Sequence, residues 1–158
     1  MASALQNLSN YDVEKVPSGK GKKVGIAVSE WNKQITFSLL KACVETLLEF
    51  EVDILDIDIR FVPGTFELPY SAKQLATKGQ DAVICIGCVI KGETDHDVYI
   101  NSSVAHALQQ LNLQYNMPFI FGVLTPNTEA QALDRAGGKH GNKGTEAAIT
   151  ALKMMNLK

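Results

Sequence analysis

Ala82 to Ile100 reads AVICIGCVIKGETDHDVYI. Its first half, Asp81 to Ile90, is almost wholly apolar. A strand with no polar alternation is a central strand covered on both faces, as in a parallel sheet. A polar turn follows, Lys91-Gly92-Glu93-Thr94. A helix can start directly after it, with Thr94 or Asp95 as N-cap and His96 in or beside its first turn. Free N–H groups at a helix start can hold an anion, and Lys91 and Thr94 can add to that. A histidine beside them can move protons near neutral pH. This stretch therefore predicts a phosphate pocket with a proton-transfer group at its lip, although any β–turn–α unit offers part of that pattern.

Reading outward, the rest of the chain repeats the unit. Lys23 to Ser29 is a short apolar strand, and Ser29 to Asn32 is a turn. Ile35, Leu39, Cys43, Leu47 and Phe50 recur at helical spacing. Leu55, Ile57, Ile59 and Phe61 alternate with Asp56, Asp58 and Arg60, which predicts an edge strand with one wet face. Pro63 and Gly64 impose a turn. A helix runs from about Phe66 to Lys78, with Pro69 tolerated in its first turn. After the central strand, Ile100, Val104, Ala107, Leu108 and Leu111 form the inner face of a third helix. Pro118 to Leu124 is a fourth strand. A helix through about Ala136, a glycine-rich loop (Gly137, Gly138, Gly141) and a last helix around Ala148, Ala151, Leu152 and Met155 complete the chain. Strands alternating with helices mean an α/β fold, a parallel sheet in a three-layer α/β/α sandwich. Ligands in such sheets sit beyond the carboxyl ends of the strands. Three polar turns fall there: 29–32, 63–67 and 91–96.

Composition narrows the class. The chain has 158 residues, 46% hydrophobic and 20% charged, which is globular and enough for one core. Residues 1–22 are polar and read as an N-terminal arm that packs on a neighbour, and residues 23–158 as the domain. The net charge of -2 argues against nucleic acid as a partner, since such partners select a basic face. The one basic cluster, Lys15 to Lys23, reads as solvated arm. No apolar run is long enough to span a membrane. Three cysteines and no secretory segment point to the cytoplasm. Cys85 and Cys88 have a CxxC spacing, but inside an apolar strand they point to opposite faces and read as packing residues. Zinc would need further ligands at close spacing.

Several residues admit two readings at this stage. Trp31, the only tryptophan, is either a core residue or a platform for a planar ligand. Glu67 either binds hydroxyl groups or favours a helix start. Arg135, Lys139 and Lys143 form either a solvated loop or a phosphate clamp.

Four segments in order resemble the lumazine synthase family: VPGTFELP (Val62 to Pro69), GCVIKGETDH (Gly87 to His96), FGVLT (Phe121 to Thr125) and RAGGKHGNKG (Arg135 to Gly144). The resemblance runs from Lys23 onward. It implies a flavodoxin-like four-stranded parallel sheet and a transferase of riboflavin biosynthesis. The implied reaction condenses 5-amino-6-(D-ribitylamino)uracil with 3,4-dihydroxy-2-butanone 4-phosphate to 6,7-dimethyl-8-ribityllumazine, phosphate and water, with no metal or organic cofactor. Carried over by position, Trp31 takes the place of the aromatic that stacks on the pyrimidine. Thr65, Phe66 and Glu67 match the segment that binds ring and ribityl chain, and the backbone of Cys88, Val89 and Ile90 lines the same substrate. Glu93 and Thr94 match the phosphate-holding helix start, and His96 the proton-transfer residue. Phe121, Arg135 and Lys143 match residues that reach the site from a neighbouring subunit, with Arg135 on the phosphate.

The family implies homopentamers or icosahedral shells of twelve pentamers, with sites at subunit interfaces. The Gly137–Lys143 loop carries no insertion, which favours the shell. Two departures stand out. Asp97 follows His96 where the family often has an aromatic, and Pro126 follows Thr125 where a polar residue is more usual. The competing function is a non-catalytic module that binds a ribityl or flavin ligand in the same pocket.

Overall fold

The computed structural model describes Asn7 and residues 9–157. Its main sheet holds β1 (Val24–Ser29), β2 (Ile57–Val62), β3 (Ala82–Cys88) and β4 (Phe119–Leu124), all parallel, in the order β2-β1-β3-β4. Between them run α1 (Lys33–Glu49), α2 (Leu68–Ala76) and α3 (His96–Tyr115). After β4 come α4 (Glu129–Leu133), a hairpin of β5 (Ala136–Gly138) and β6 (Gly141–Asn142), and α5 (Lys143–Met155). This is the flavodoxin-like order the resemblance implied.

Strand periodicity divides the core into two layers. Val24, Ile26 and Val28 of β1 and Ile84, Ile86 and Cys88 of β3 pack with α1 and α5. Ala27, Val83, Cys85 and Val123 face α2 and α3. Cys85 and Cys88 thus lie on opposite faces of the sheet, as the odd spacing predicts. β3 is buried along its whole length, and β2, at the edge, is only partly covered.

Two glycines set how closely the layers approach. A Cβ on Gly144, in the first turn of α5, would run into the Leu39 carbonyl oxygen of α1. A Cβ on Gly87, in β3, would stand 2.7 Å from Thr65 Oγ1 and 3.1 Å from Leu68 Cδ1. The second glycine lets the turn before α2 rest directly on the central strand.

Two expectations are corrected. The edge strand begins at Ile57, not Leu55. Asp53 Oδ1 accepts a bond of 2.9 Å from the Leu55 N–H and winds 54–56 into a 3-10 turn, which leaves Leu55 90% exposed. The helix after β4 stops at Leu133 and does not reach Ala136. Ala136 is drawn into the hairpin, where its carbonyl accepts from Ser38 Oγ at 2.6 Å and Gly137 and Gly141 take φ values of +106° and +77°. Residues 1–6 and 8 of the arm lie outside the described residues, and its described part makes contacts with its own chain. Val16 joins the core, Gly19 N–H donates to the Phe50 carbonyl at 2.6 Å, and the Tyr11 ring lies 6.0 Å from that of Phe50. These contacts fix the described part of the polar arm against the domain.

Candidate functional site

The carboxyl ends of the strands open onto a cavity of about 530 Å³. Its walls come from the three turns that the sequence placed on one edge. The turn after β1 supplies Trp31 and Asn32. The turn after β2 supplies Gly64, Thr65, Phe66 and Glu67. The extension of β3 and the start of α3 supply Cys88, Val89, Ile90, Gly92, Thr94, His96, Asp97 and Ile100. A shallower hollow of about 410 Å³, between residues 14–17 and the end of α5, holds none of the candidate residues.

Backbone bonds past the ends of the strands keep these turns in place. Glu30 N–H donates to Val62 O and Trp31 N–H to Pro63 O, so the β1–β2 ladder continues into both turns. Val89 N–H donates to Leu124 O and Lys91 N–H to Pro126 O, which extends the β3–β4 ladder the same way. Pro126 loses nothing here, because the contact uses its carbonyl and not the missing N–H. Asn32 ties the two halves together. It sits in the left-handed region, at φ 57° and ψ 44°, and its Nδ2 donates to the Cys88 carbonyl at 2.9 Å. Asparagine tolerates that conformation better than most side chains.

The wall is mixed in character. Trp31 is 72% exposed and Phe66 60% exposed on this chain, so the tryptophan is not a core residue of it. Thr65 is 5% exposed, resting on Gly87, and its Oγ1 is enclosed without a hydrogen-bond partner. Cys88 contributes wall and no nucleophile, since burial pushes its thiol up to about 12. At the opposite lip, α3 starts at His96 with Asp95 at the N-cap. The Asp95 side chain makes no capping bond; its carbonyl accepts from the Val98 and Tyr99 N–H groups at 3.0 and 3.3 Å, so the N–H groups of His96 and Asp97 are the ones at this helix start that an anion would meet. His96 itself is exposed there.

Most of the residues singled out from sequence meet in this cavity: Trp31, Thr65, Phe66, Glu67, Cys88, Val89, Ile90, Thr94 and His96. Glu93 sits in the same turn between two lining residues, outside the wall itself. Phe121, Arg135 and Lys143 are elsewhere on this chain. Phe121 is on the edge strand β4, opposite Cys85. Arg135 donates from Nη1 to its own Gln131 carbonyl at 3.0 Å. Lys143 Nζ lies 2.6 Å from Glu146 Oε1 in a largely buried pair. Sequence reasoning missed Asn32 as a wall residue; its signal was an asparagine at a strand-to-helix turn. It gave no role to Asp97, which also lines the cavity.

A parallel α/β sheet with a half-enclosed, largely apolar cavity at its carboxyl edge, polar groups converging from three turns, defines a small-molecule-binding protein of flavodoxin-like fold. Comparison narrows this further: a model of the 6,7-dimethyl-8-ribityllumazine synthase family matches residues 21–158, and the chain belongs to that family. It is 55% identical to the 6,7-dimethyl-8-ribityllumazine synthase of Porphyromonas gingivalis, over 99% of this chain and 98% of the relative. It is 52% identical to that of Parabacteroides distasonis, over 99% of both chains. The Cytophaga hutchinsonii enzyme of the same name is 53% identical over 98% of each.

Proposed function

We propose that this chain condenses 5-amino-6-(D-ribitylamino)uracil with 3,4-dihydroxy-2-butanone 4-phosphate to 6,7-dimethyl-8-ribityllumazine, a transferase step of riboflavin biosynthesis. Beside the family relationship, the observation that carries the reading is the single cavity in which an exposed tryptophan, the Thr65–Glu67 turn and the His96 helix start face one another. The amine attacks the ketone and an imine forms with loss of water. Phosphate leaves, the chain tautomerises, and the second amine closes the ring with loss of a further water. Both reactants already carry the needed reactivity. Most of the acceleration therefore comes from holding them together, where orientation supplies roughly 7–11 kcal/mol. Trp31 stacks on the planar ring, Thr65, Phe66 and Glu67 hold the ring and ribityl chain, and the backbone of Cys88, Val89 and Ile90 lines the same substrate. Glu93, Thr94 and the start of α3 receive the phosphate. His96 relays protons.

Phe121, Arg135 and Lys143 reach a site on a neighbouring copy in this reading, with Arg135 gripping the phosphate through paired hydrogen bonds. Their distance from this chain's own cavity supports that. So do the exposed Trp31, Phe66, Tyr70 and Tyr99, which a neighbouring copy would cover. Assembly is as pentamers, and the short Lys139–His140 turn of the β5–β6 hairpin favours the twelve-pentamer shell over the lone pentamer. The decisive experiment mixes purified protein with both substrates and follows fluorescent lumazine and phosphate together. Equal appearance of both, above the protein-free rate, is the expected result. Tight binding of the ribityl substrate with no rate above background would leave a binding module instead.

A further inference from the structure

The β5–β6 hairpin has Arg135 immediately before it and Lys143 immediately after it, and the Lys143 N–H donates to the Arg135 carbonyl at 2.9 Å. Little in the hairpin itself fixes its place. Its pairing is short, Ala136 with Asn142 and Gly138 with Gly141, the register is irregular, and Gly137 and Gly141 take positive φ. A two-stranded ribbon of that size is not stable alone. Ties from outside therefore hold it. Two come from α1: Ser38 Oγ donates to the Ala136 carbonyl at 2.6 Å, and Asn142 Nδ2 donates to the Ser38 carbonyl at 3.3 Å. Another comes from the N-terminal arm, 133 positions away along the chain: the Asn142 N–H donates to Ser9 Oγ at 2.9 Å.

The arm meets the hairpin closely. A Cβ on Gly141 would run into Asn7 Oδ1 and stand 2.7 Å from the Ser9 nitrogen. Asn7 Oδ1 accepts from the Ser9 N–H at 2.8 Å, which fixes the backbone that presents the seryl hydroxyl. Asn142 is 8% exposed, and its side chain is already engaged: Oδ1 accepts from the Gly144 N–H at 2.8 Å while Nδ2 serves Ser38. A covered N–H that loses its acceptor is costly, so the strand bearing it shifts to find another. Lys143 is the next residue, and through its N–H the shift reaches Arg135. We infer that Ser9 is a positioning residue: it sets where Arg135 and Lys143 stand, and so the affinity of the neighbouring copy's site for the butanone phosphate. This inference rests on the role proposed above for Arg135 at a neighbour's phosphate.

The test is steady-state kinetics of the full, assembled protein with each substrate varied in turn, for the wild type, Ser9→Ala, Ser9→Thr and Ser18→Ala. Ser18, an arm serine whose hydroxyl donates to Glu51 at 2.7 Å, is the control. Loss of one neutral hydrogen bond corresponds to roughly a two- to tenfold change in binding. Ser9→Ala is expected to raise KM for the butanone phosphate by that factor while KM for the ribitylaminouracil stays within about 1.5-fold. Ser9→Thr keeps the acceptor oxygen and is expected to restore the wild-type value, and Ser18→Ala to leave both KM values in place. In an Arg135→Ala background, Ser9→Ala is expected to add less than it does alone, since the two act on the phosphate through one guanidinium. Equal shifts in both KM values, none in either, or the same split from Ser18→Ala would overturn the inference. So would a raised KM that Ser9→Thr does not restore, or a full, independent effect in the Arg135→Ala background. A Ser9→Ala protein that melts earlier with unchanged KM values would also overturn it, since the bond would then serve the fold alone. If Arg135→Ala leaves KM for the butanone phosphate unchanged, the role of Arg135 itself fails. If Arg135→Ala raises it and Ser9→Ala does not, the role of Ser9 alone fails.

Discussion

His96 and Arg135 differ in what their removal takes away. Positioned proton transfer contributes on the order of 10²–10⁴-fold, against the larger share from holding two reactants together. His96→Ala is therefore expected to slow turnover by up to that range and leave a measurable rate, read from lumazine fluorescence at saturating substrates. Arg135→Ala is expected to impair use of the phosphorylated substrate more severely, and Arg135→Lys to restore little, because an ammonium cannot copy a paired grip. Full activity of Arg135→Lys at low butanone phosphate would remove Arg135 from that role. The cysteines carry a different prediction. Burial pushes Cys43 and Cys88 up to about 12 and Cys85 higher still, from an ordinary value of 9.0. All three stay neutral in the folded chain at pH values where the unfolded chain ionises. Their contribution to stability is full below pH 9 and is lost as the pH rises toward 12. A thiol reagent at neutral pH should label none of them until denaturant is added.

At the level of elements, the glycines that admit close packing decide the outcome of substitution. Alanine in a helix is favoured over glycine by about 1 kcal/mol. At Gly144 that gain is opposed by the Leu39 carbonyl oxygen, a backbone atom that cannot rotate away. Overpacking of this kind costs about 1–3 kcal/mol or more, so Gly144→Ala is expected to be net destabilising and to lower the thermal midpoint. Gly87→Ala meets the Thr65 side chain instead, at 2.7 Å. The turn can yield there, and the expected effect is displacement of Thr65–Glu67: a raised KM for the ribitylaminouracil with a smaller loss of stability. A midpoint unchanged by Gly144→Ala would mean that α1 and α5 can separate at little cost.

At the scale of the whole molecule, sites shared between subunits can be tested by mixing. Protomers carrying His96→Ala and protomers carrying Arg135→Ala are each expected to be impaired. Assembled together at equal amounts, they should regain roughly a quarter of wild-type activity, because random neighbours leave that share of interfaces with both native residues. No regain after verified co-assembly would place Arg135 outside the neighbour's site. Sedimentation of the wild type separates pentamer from shell.

Much of this protein was legible in its residues. The unbroken apolar run of Ala82 to Ile90, alternating with helical periodicities before and after it, allowed only a parallel sheet, because fully covered strands carry no wet face. Parallel strands connected by helices must all end on one edge, so Trp31, Thr65–Glu67 and Thr94–His96 were bound to converge. The short-range pattern failed where a single polar side chain redirected the backbone: Asp53 winding Leu55 out of the edge strand, and Ser38 with Gly137 and Gly141 drawing Ala136 from a helix into a hairpin. Only the tertiary structure decided that Trp31 is exposed and not buried, that Asn32 pins the end of β3, that the arm lies on Phe50, and that Asp97 keeps an enclosed oxygen without a donor. Each of these depends on contacts between residues far apart in the chain, or on burial, and neither is carried by the spacing of residues along it.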